Sequence, residues 1–84
     1  MQRQLLEEEN TISLRGSLER IVYHNDESNY SVLSLKVSKH ADLVTAVGIL
    51  PNPVLGEFMM LSGSWVDNPR FGMQFSFTKG SISQ

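Results

Sequence analysis

Five segments of the chain carry hydrophobic residues in the two-residue repeat of β-strands, and turn-forming residues separate them. The segments cover residues 14–24, 30–38, 43–50, 58–67 and 71–79. The last of them, FGMQFSFTK, is the clearest, because every second residue from Phe71 to Phe77 is large and apolar. We therefore expect five strands, with this apolar side of the last strand in the core.

Two of the predicted strands contain irregularities. In residues 14–24 the apolar positions change parity between Leu18 and Ile21, which predicts a β-bulge near Glu19 or Arg20. Residues 43–50 are nearly all apolar, which predicts a strand covered on both sides over part of its length. Residues 25–29 form a turn by composition, and Asn29 suits a left-handed backbone position there.

The strand count favours an all-β fold, a small antiparallel barrel. A bulge and glycines within the strands permit the tight coiling that closure requires. A five-stranded OB-fold fits both the number of strands and the length. Only residues 51–57 are available for the helix that commonly follows the third strand, so that helix is expected to be absent or a single turn. An SH3-like barrel is the alternative.

The length of 84 residues allows one small core and leaves no room for a deep catalytic cleft. We expect a flexible tail or short helix over residues 1–12, the barrel over 13–80 and a linker over 81–84. The absence of cysteine excludes a disulfide scaffold, a cysteine zinc site and a thiol nucleophile. No apolar run is long enough for a membrane span or a signal peptide, so a cytoplasmic protein is expected.

The charges divide unevenly along the chain. Residues 1–10 hold Arg3 against three glutamates, whereas residues 11–84 hold six basic and six acidic groups. A segment without net charge, such as residues 11–84, attracts nucleic acid only weakly, because binding to the nucleic-acid backbone depends on neutralising many phosphates. Any contact with DNA must therefore depend on local groups.

No catalytic constellation emerges from the sequence. His24 and His40 have no ligand spacing to a third donor, and no phosphate-binding loop precedes a helix. Asp26 and Glu27 lie in the first turn, where carboxylates commonly cap backbone N–H groups. We therefore predict no catalytic, cofactor-binding or metal-binding residues in this chain.

Aromatic residues near strand ends alternate with basic residues. Aromatic rings stack on bases in single-strand binders while cations follow the phosphates. The candidate contact residues for nucleic acid or a partner are Arg20, Tyr23, Tyr30, Lys36, Lys39, Trp65, Arg70 and Phe71. A small barrel needs a similar number of aromatic rings to fill its interior, so a role of these rings in packing or protein docking is the alternative to nucleic-acid contact. Met59, Met60 and Met73 are adaptable side chains that suit a docking surface.

Three stretches of the chain resemble a known family. They are GSLERIVYHNDESNYSVLSLKV, LVTAVGILP with the following PVLGEF, and GSWVDNPRFGMQF, all within residues 14–79. Together they are similar to the N-terminal OB-fold-like domain of the ATP-dependent RecD-like DNA helicases, relatives of the exodeoxyribonuclease V alpha subunit. Ser28-Asn29 stands where the family commonly has Asn-Gly, Asn68 where it has His, and Met73 where it has a basic residue.

The resemblance implies an accessory domain of a bacterial 5′-to-3′ helicase of DNA repair or recombination. ATP and Mg²⁺ would bind in motor domains downstream, joined through the linker, and the fragment itself would hydrolyse nothing. The domain would contact single-stranded DNA, the helicase core or a partner subunit, and no membrane. The alternative is a purely structural protein–protein interaction module of OB or SH3-like type without nucleic-acid contact.

Overall fold

The computed structural model describes residues 11–82 of the chain, which form five strands. The strands are β1 (Ile12–His24), β2 (Tyr30–Lys36), β3 (Val44–Ile49), β4 (Phe58–Asn68) and β5 (Gly72–Ile82). All five predicted strands are confirmed, and β1 and β5 extend past the expected barrel limits of residues 13–80. Most of the expected tail, residues 1–10, and the end of the expected linker, residues 83–84, lie outside the described residues.

The strands close into a barrel in the order β1-β2-β3-β5-β4. β3 and β5 are parallel, and the other neighbouring strands are antiparallel. This arrangement confirms the OB-fold rather than the SH3-like alternative. Turns and bends connect β3 to β4, and the described part of the chain contains no helix, as the short connection predicted. Residues 11–82 therefore include no helix that could cross a membrane.

Bulges in β1 redirect its side chains. The pairing of β1 with β2 shifts between Leu18 and Arg20, which confirms the predicted bulge, and shifts again between Ile21 and Tyr23. The second shift has no counterpart in the sequence prediction. It places Tyr23 opposite Val32 of β2, and Tyr23 is exposed on the outside of the barrel.

The core consists of residues that point inward from all five strands. Its fully enclosed large side chains include Leu18, Leu33, Leu35, Leu61 and Phe75. Phe75 and Phe77 are buried, as the alternation in the last segment predicted. Phe71 and Met73 are instead 69% and 58% exposed, because β5 first pairs with β3 at Phe75. The predicted apolar side is therefore correct only for the second half of the segment.

Two further expectations are corrected by the burial pattern. Val44 and Ala46 of β3 point into the core, but Thr45 and Val47 are only half-buried and Ile49 is exposed. The predicted cover on both sides of this strand is thus not found, because its outer side is an open face. Met59, expected at a docking surface, is buried in the core, where the inward parity of β4 places it.

Candidate nucleic-acid interface

The outer side of β2 and β3 carries a groove of about 470 Å³, here called the outer groove. The cross-strand pair of Val32 and Val47 forms part of its wall. Its lining residues are Val22, Tyr30, Val32, Thr45, Val47, Asn68, Phe71 and Gln74. None of these residues carries a charge, so the groove suits a flat apolar group rather than a phosphate.

The β1–β2 turn borders the outer groove at one end. The side-chain oxygen of Asn25 accepts hydrogen bonds from the N–H groups of Glu27 and Ser28, at 2.9 and 3.0 Å. Asn29 has a φ of 64°, which confirms the predicted left-handed position. An amide side chain therefore closes this turn, rather than the neighbouring carboxylates that the sequence suggested, and the turn presents Tyr30 at the start of β2.

The β4–β5 turn borders the groove at the other end and is built in the same way. The side-chain oxygen of Asn68 accepts hydrogen bonds from the N–H groups of Arg70 and Phe71, at 2.8 and 3.0 Å. Gly72 then adopts a φ of 86°, which favours glycine. The Arg70 guanidinium carbon lies 5.4 Å from the centre of the Phe71 ring. Each turn thus presents one aromatic ring to the groove, with a cation beside the second ring.

A buried hydroxyl anchors the first turn to the barrel. Ser31 is fully buried, and its hydroxyl donates towards the carbonyl oxygens of Asn29 and Leu50, at 3.1 and 3.3 Å. His24 Nδ1 lies 2.7 Å from the same hydroxyl, and His24 Nε2 lies 3.6 Å from an Asp26 carboxylate oxygen. This Ser/His/Asp group offers no reachable nucleophile, because the serine is enclosed and bonded to backbone carbonyls. It positions the turn.

The open end of the barrel next to β3 holds a second cavity, here called the mouth pocket, of about 260 Å³. Its lining residues are His40, Ala41, Asp42, Leu43, Val44, Thr45, Trp65 and Met73. The Trp65 ring packs edge-on against Phe75, with ring centres 5.2 Å apart. His40 stacks on Trp65 at 6.1 Å and an interplanar angle of 22°. Thr45 lines both cavities, so the mouth pocket adjoins the outer groove.

The structure separates the eight predicted contact residues into groups. Tyr30 and Phe71 line the outer groove, and Tyr23 and Arg70 contact their rings. Trp65 lines the mouth pocket instead. The remaining three are exposed and line neither cavity: Arg20, Lys36 and Lys39.

Several lining residues were absent from the sequence prediction. Val32 and Val47 could have been predicted from the sequence, because both are apolar at strand positions whose side chains point away from the core. Asn68 could also have been predicted, because an asparagine before Pro69 commonly closes a turn. Nothing in the sequence marks Gln74 and His40 as lining residues, since only the closure of the barrel brings them to the cavities. Among residues 11–82, no three His, Asp or Glu side chains are grouped to hold a metal ion.

A comparison with known protein families agrees with this architecture. Residues 11–83 match the family model described as the OB-fold domain of the ATP-dependent DNA helicase YrrC. The match covers every strand of the barrel, both turns that border the outer groove, and the mouth pocket.

Proposed function

This chain belongs to the family of YrrC OB-fold domains, and we propose that it is an accessory domain that holds single-stranded DNA in the outer groove. The observation that carries the proposal is the pair of aromatic rings, Tyr30 and Phe71, at the two ends of an uncharged groove. Membership of this family supports the proposal that the domain works beside the motor of an ATP-dependent DNA helicase. The resemblance to RecD-like enzymes favours a motor of the 5′-to-3′ class.

Stacking supplies the attraction in this proposal. A base that stacks on an aromatic side chain gains about 1–3 kcal/mol, and the gain depends little on base identity. Tyr30 and Phe71 offer two such rings, and the valines between them offer apolar contact to the sugars. Arg70, held beside Phe71, is a cation that can pair with a phosphate, and we assign a second phosphate to Arg20, which is exposed on β1.

A site of two rings binds weakly by itself. Two stacked bases contribute roughly 2–6 kcal/mol, which corresponds to a dissociation constant no tighter than tens of micromolar. Such a site acts effectively when it is joined to a motor that already holds the strand, because the local concentration of DNA is then high. The domain therefore serves as an auxiliary grip, with ATP, Mg²⁺ and hydrolysis assigned to the motor.

A titration of a fluorescently labelled oligothymidylate, followed by anisotropy at low salt, tests the proposal. Saturable binding is expected, and Phe71→Ala is expected to weaken it about fivefold or more through the loss of one stacked base. Phe58→Ala is the matched control, because Phe58 is also exposed on the barrel surface yet lines neither cavity. Absent binding, or equal losses in the two variants, would contradict the proposal.

Docking on a protein surface is the second candidate function. It is favoured by exposed aliphatic side chains, since Val22 of the groove lining and Ile49, which lines neither cavity, are 57% and 56% exposed. A patch of this kind suits an apolar surface of the helicase motor or of a partner subunit. If the isolated domain binds the motor in trans and Ile49→Ser abolishes that binding without affecting the binding of oligonucleotide, the domain docks through this face.

A further inference from the structure

The mouth pocket has the features of a site for one nucleobase, distinct from the stacking rings of the outer groove. Building on the proposed function, we propose that it takes a base with an exocyclic amino group in preference to thymine. Because Thr45 lines both cavities, a strand held in the outer groove passes the entrance of the mouth pocket.

The pocket offers a fixed aromatic wall. Trp65 is half-buried, and its ring packs in a T-shaped arrangement with the fully buried Phe75 at an interplanar angle of 74°, which supports the indole from the core. His40 covers the ring from an exposed loop and lies nearly parallel to it. Met73, exposed at the rim, is a flexible side chain that adapts its shape to a ring. Trp65 and His40 therefore give the pocket an aromatic lining that suits a flat heteroaromatic group.

Asp42 determines which flat group fits. It is the one acidic residue in the lining. Among the described residues, no hydrogen bond or ion pair engages its carboxylate. A carboxylate accepts hydrogen bonds and repels phosphate, so it favours the amino edge of a base over the backbone. Cytosine and adenine present such an amino group, as does guanine. Thymine offers one donor, its N3–H, between two carbonyl oxygens that repel the carboxylate.

The test compares labelled hexadeoxycytidylate with hexathymidylate, two pyrimidine strands of equal length and charge. The unmodified domain is expected to bind the cytosine strand about fivefold more tightly, the low end of what one specific base contact discriminates. Asp42→Asn is expected to bring the ratio close to one, because the amide also donates to thymine oxygens. Trp65, the single tryptophan of the chain, should show stronger quenching with the cytosine strand.

Asp67→Asn is the matched control, since it removes the same charge from an exposed position of β4 that lines neither cavity. It should leave the ratio unchanged. Equal affinities for the two strands in the unmodified domain would overturn this inference and leave the groove proposal standing. An Asp42→Asn variant that binds both strands more tightly by the same factor would also overturn this inference, because Asp42 would then act by repulsion alone. Failure of both strands to bind would overturn the inference together with the proposed function.

Discussion

The rings of Tyr23 and Tyr30 lie 6.4 Å apart, centre to centre, and are tilted by 55°. They belong to different strands, and they meet because the second bulge in β1 places Tyr23 on the same face as the start of β2. The Asn25 side chain donates to the Tyr23 hydroxyl at 3.3 Å and also closes the turn between the strands. The turn and the two rings thus form one unit at the end of the outer groove.

Tyr30→Leu should reduce the affinity for single-stranded DNA by about 1–3 kcal/mol, because leucine keeps an apolar contact but offers no ring for stacking. Tyr23→Leu should cost less, since Tyr23 supports the neighbouring ring and does not line the groove. Anisotropy titrations of both variants measure this difference. If Tyr23→Leu costs as much as Tyr30→Leu or more, the bases do not stack where the groove geometry places them.

The binding should depend only weakly on salt. No residue that lines the outer groove is charged, and Arg20 and Arg70 are the two cations assigned to phosphates. Two phosphate contacts on a single strand give a slope of about −1.4 in log K against log salt, or roughly a sevenfold loss between 50 and 200 mM. A slope of about −2.8 or steeper would show that the strand also follows other cations, such as Lys36 and Lys39.

Phe75→Ala should lower the free energy of unfolding by about 3–5 kcal/mol, because it empties the centre of the core. Phe75 is completely buried and also supports the Trp65 ring. Phe71→Ala, at a highly exposed position of the neighbouring turn, should change stability by only about 0.5 kcal/mol. Urea denaturation followed by circular dichroism measures both, and a near-normal midpoint for Phe75→Ala would contradict the assigned packing.

Gly63→Ala should destabilise the barrel by about 3 kcal/mol or more, since overpacking against backbone leaves little room for relaxation. A Cβ at this position would lie 2.0 Å from the Ser76 carbonyl oxygen, where β4 and β5 approach each other. Gly80→Ala is the control, because its Cβ would first meet the end of the Leu61 side chain at 2.9 Å, which can move. Similar melting temperatures for the two variants would argue against the close strand approach.

Ser31→Ala should lower stability by about 1–3 kcal/mol, because the buried Leu50 carbonyl oxygen loses a donor and His24 loses its partner. The Asn29 carbonyl oxygen keeps the Leu50 N–H as a donor. Ser64→Ala, an exposed serine of β4, should be close to neutral. Thermal unfolding of both variants measures the difference. Equal melting temperatures would indicate that water or another group satisfies the Leu50 carbonyl oxygen.

Much of the fold was predictable because strand signals are local. A two-residue alternation identifies inward positions such as Phe75, and a change of parity identifies the bulge after Leu18. Asparagine tolerates a left-handed backbone, so Asn29 could be assigned without knowledge of its neighbours. The second bulge could not be predicted, because it depends on how β1 leaves β4 to follow β2. The exposure of Phe71 depends likewise on where β5 meets β3.

The candidate sites were predictable only in part. Aromatic and basic residues near strand ends included Tyr30 and Phe71, which lie far apart in sequence yet line the same groove. The same criterion included Lys36 and Lys39, which border neither cavity, and omitted His40 and Asp42 of the mouth pocket. Residue type shows which side chains can stack or pair, but not which of them face the same space.

The sequence by itself determined the strands, the turn residues and the family, since all three are encoded in short patterns of side chains along the chain. Only the tertiary structure decided which side chains form a site. Closure of the barrel joins β3 and β5 through the short pairing of Ala46 with Phe75 and Val47 with Ser76. That pairing brings the two asparagine-closed turns to opposite ends of one groove, because the direction of every strand is set by its partners and not by its own residues.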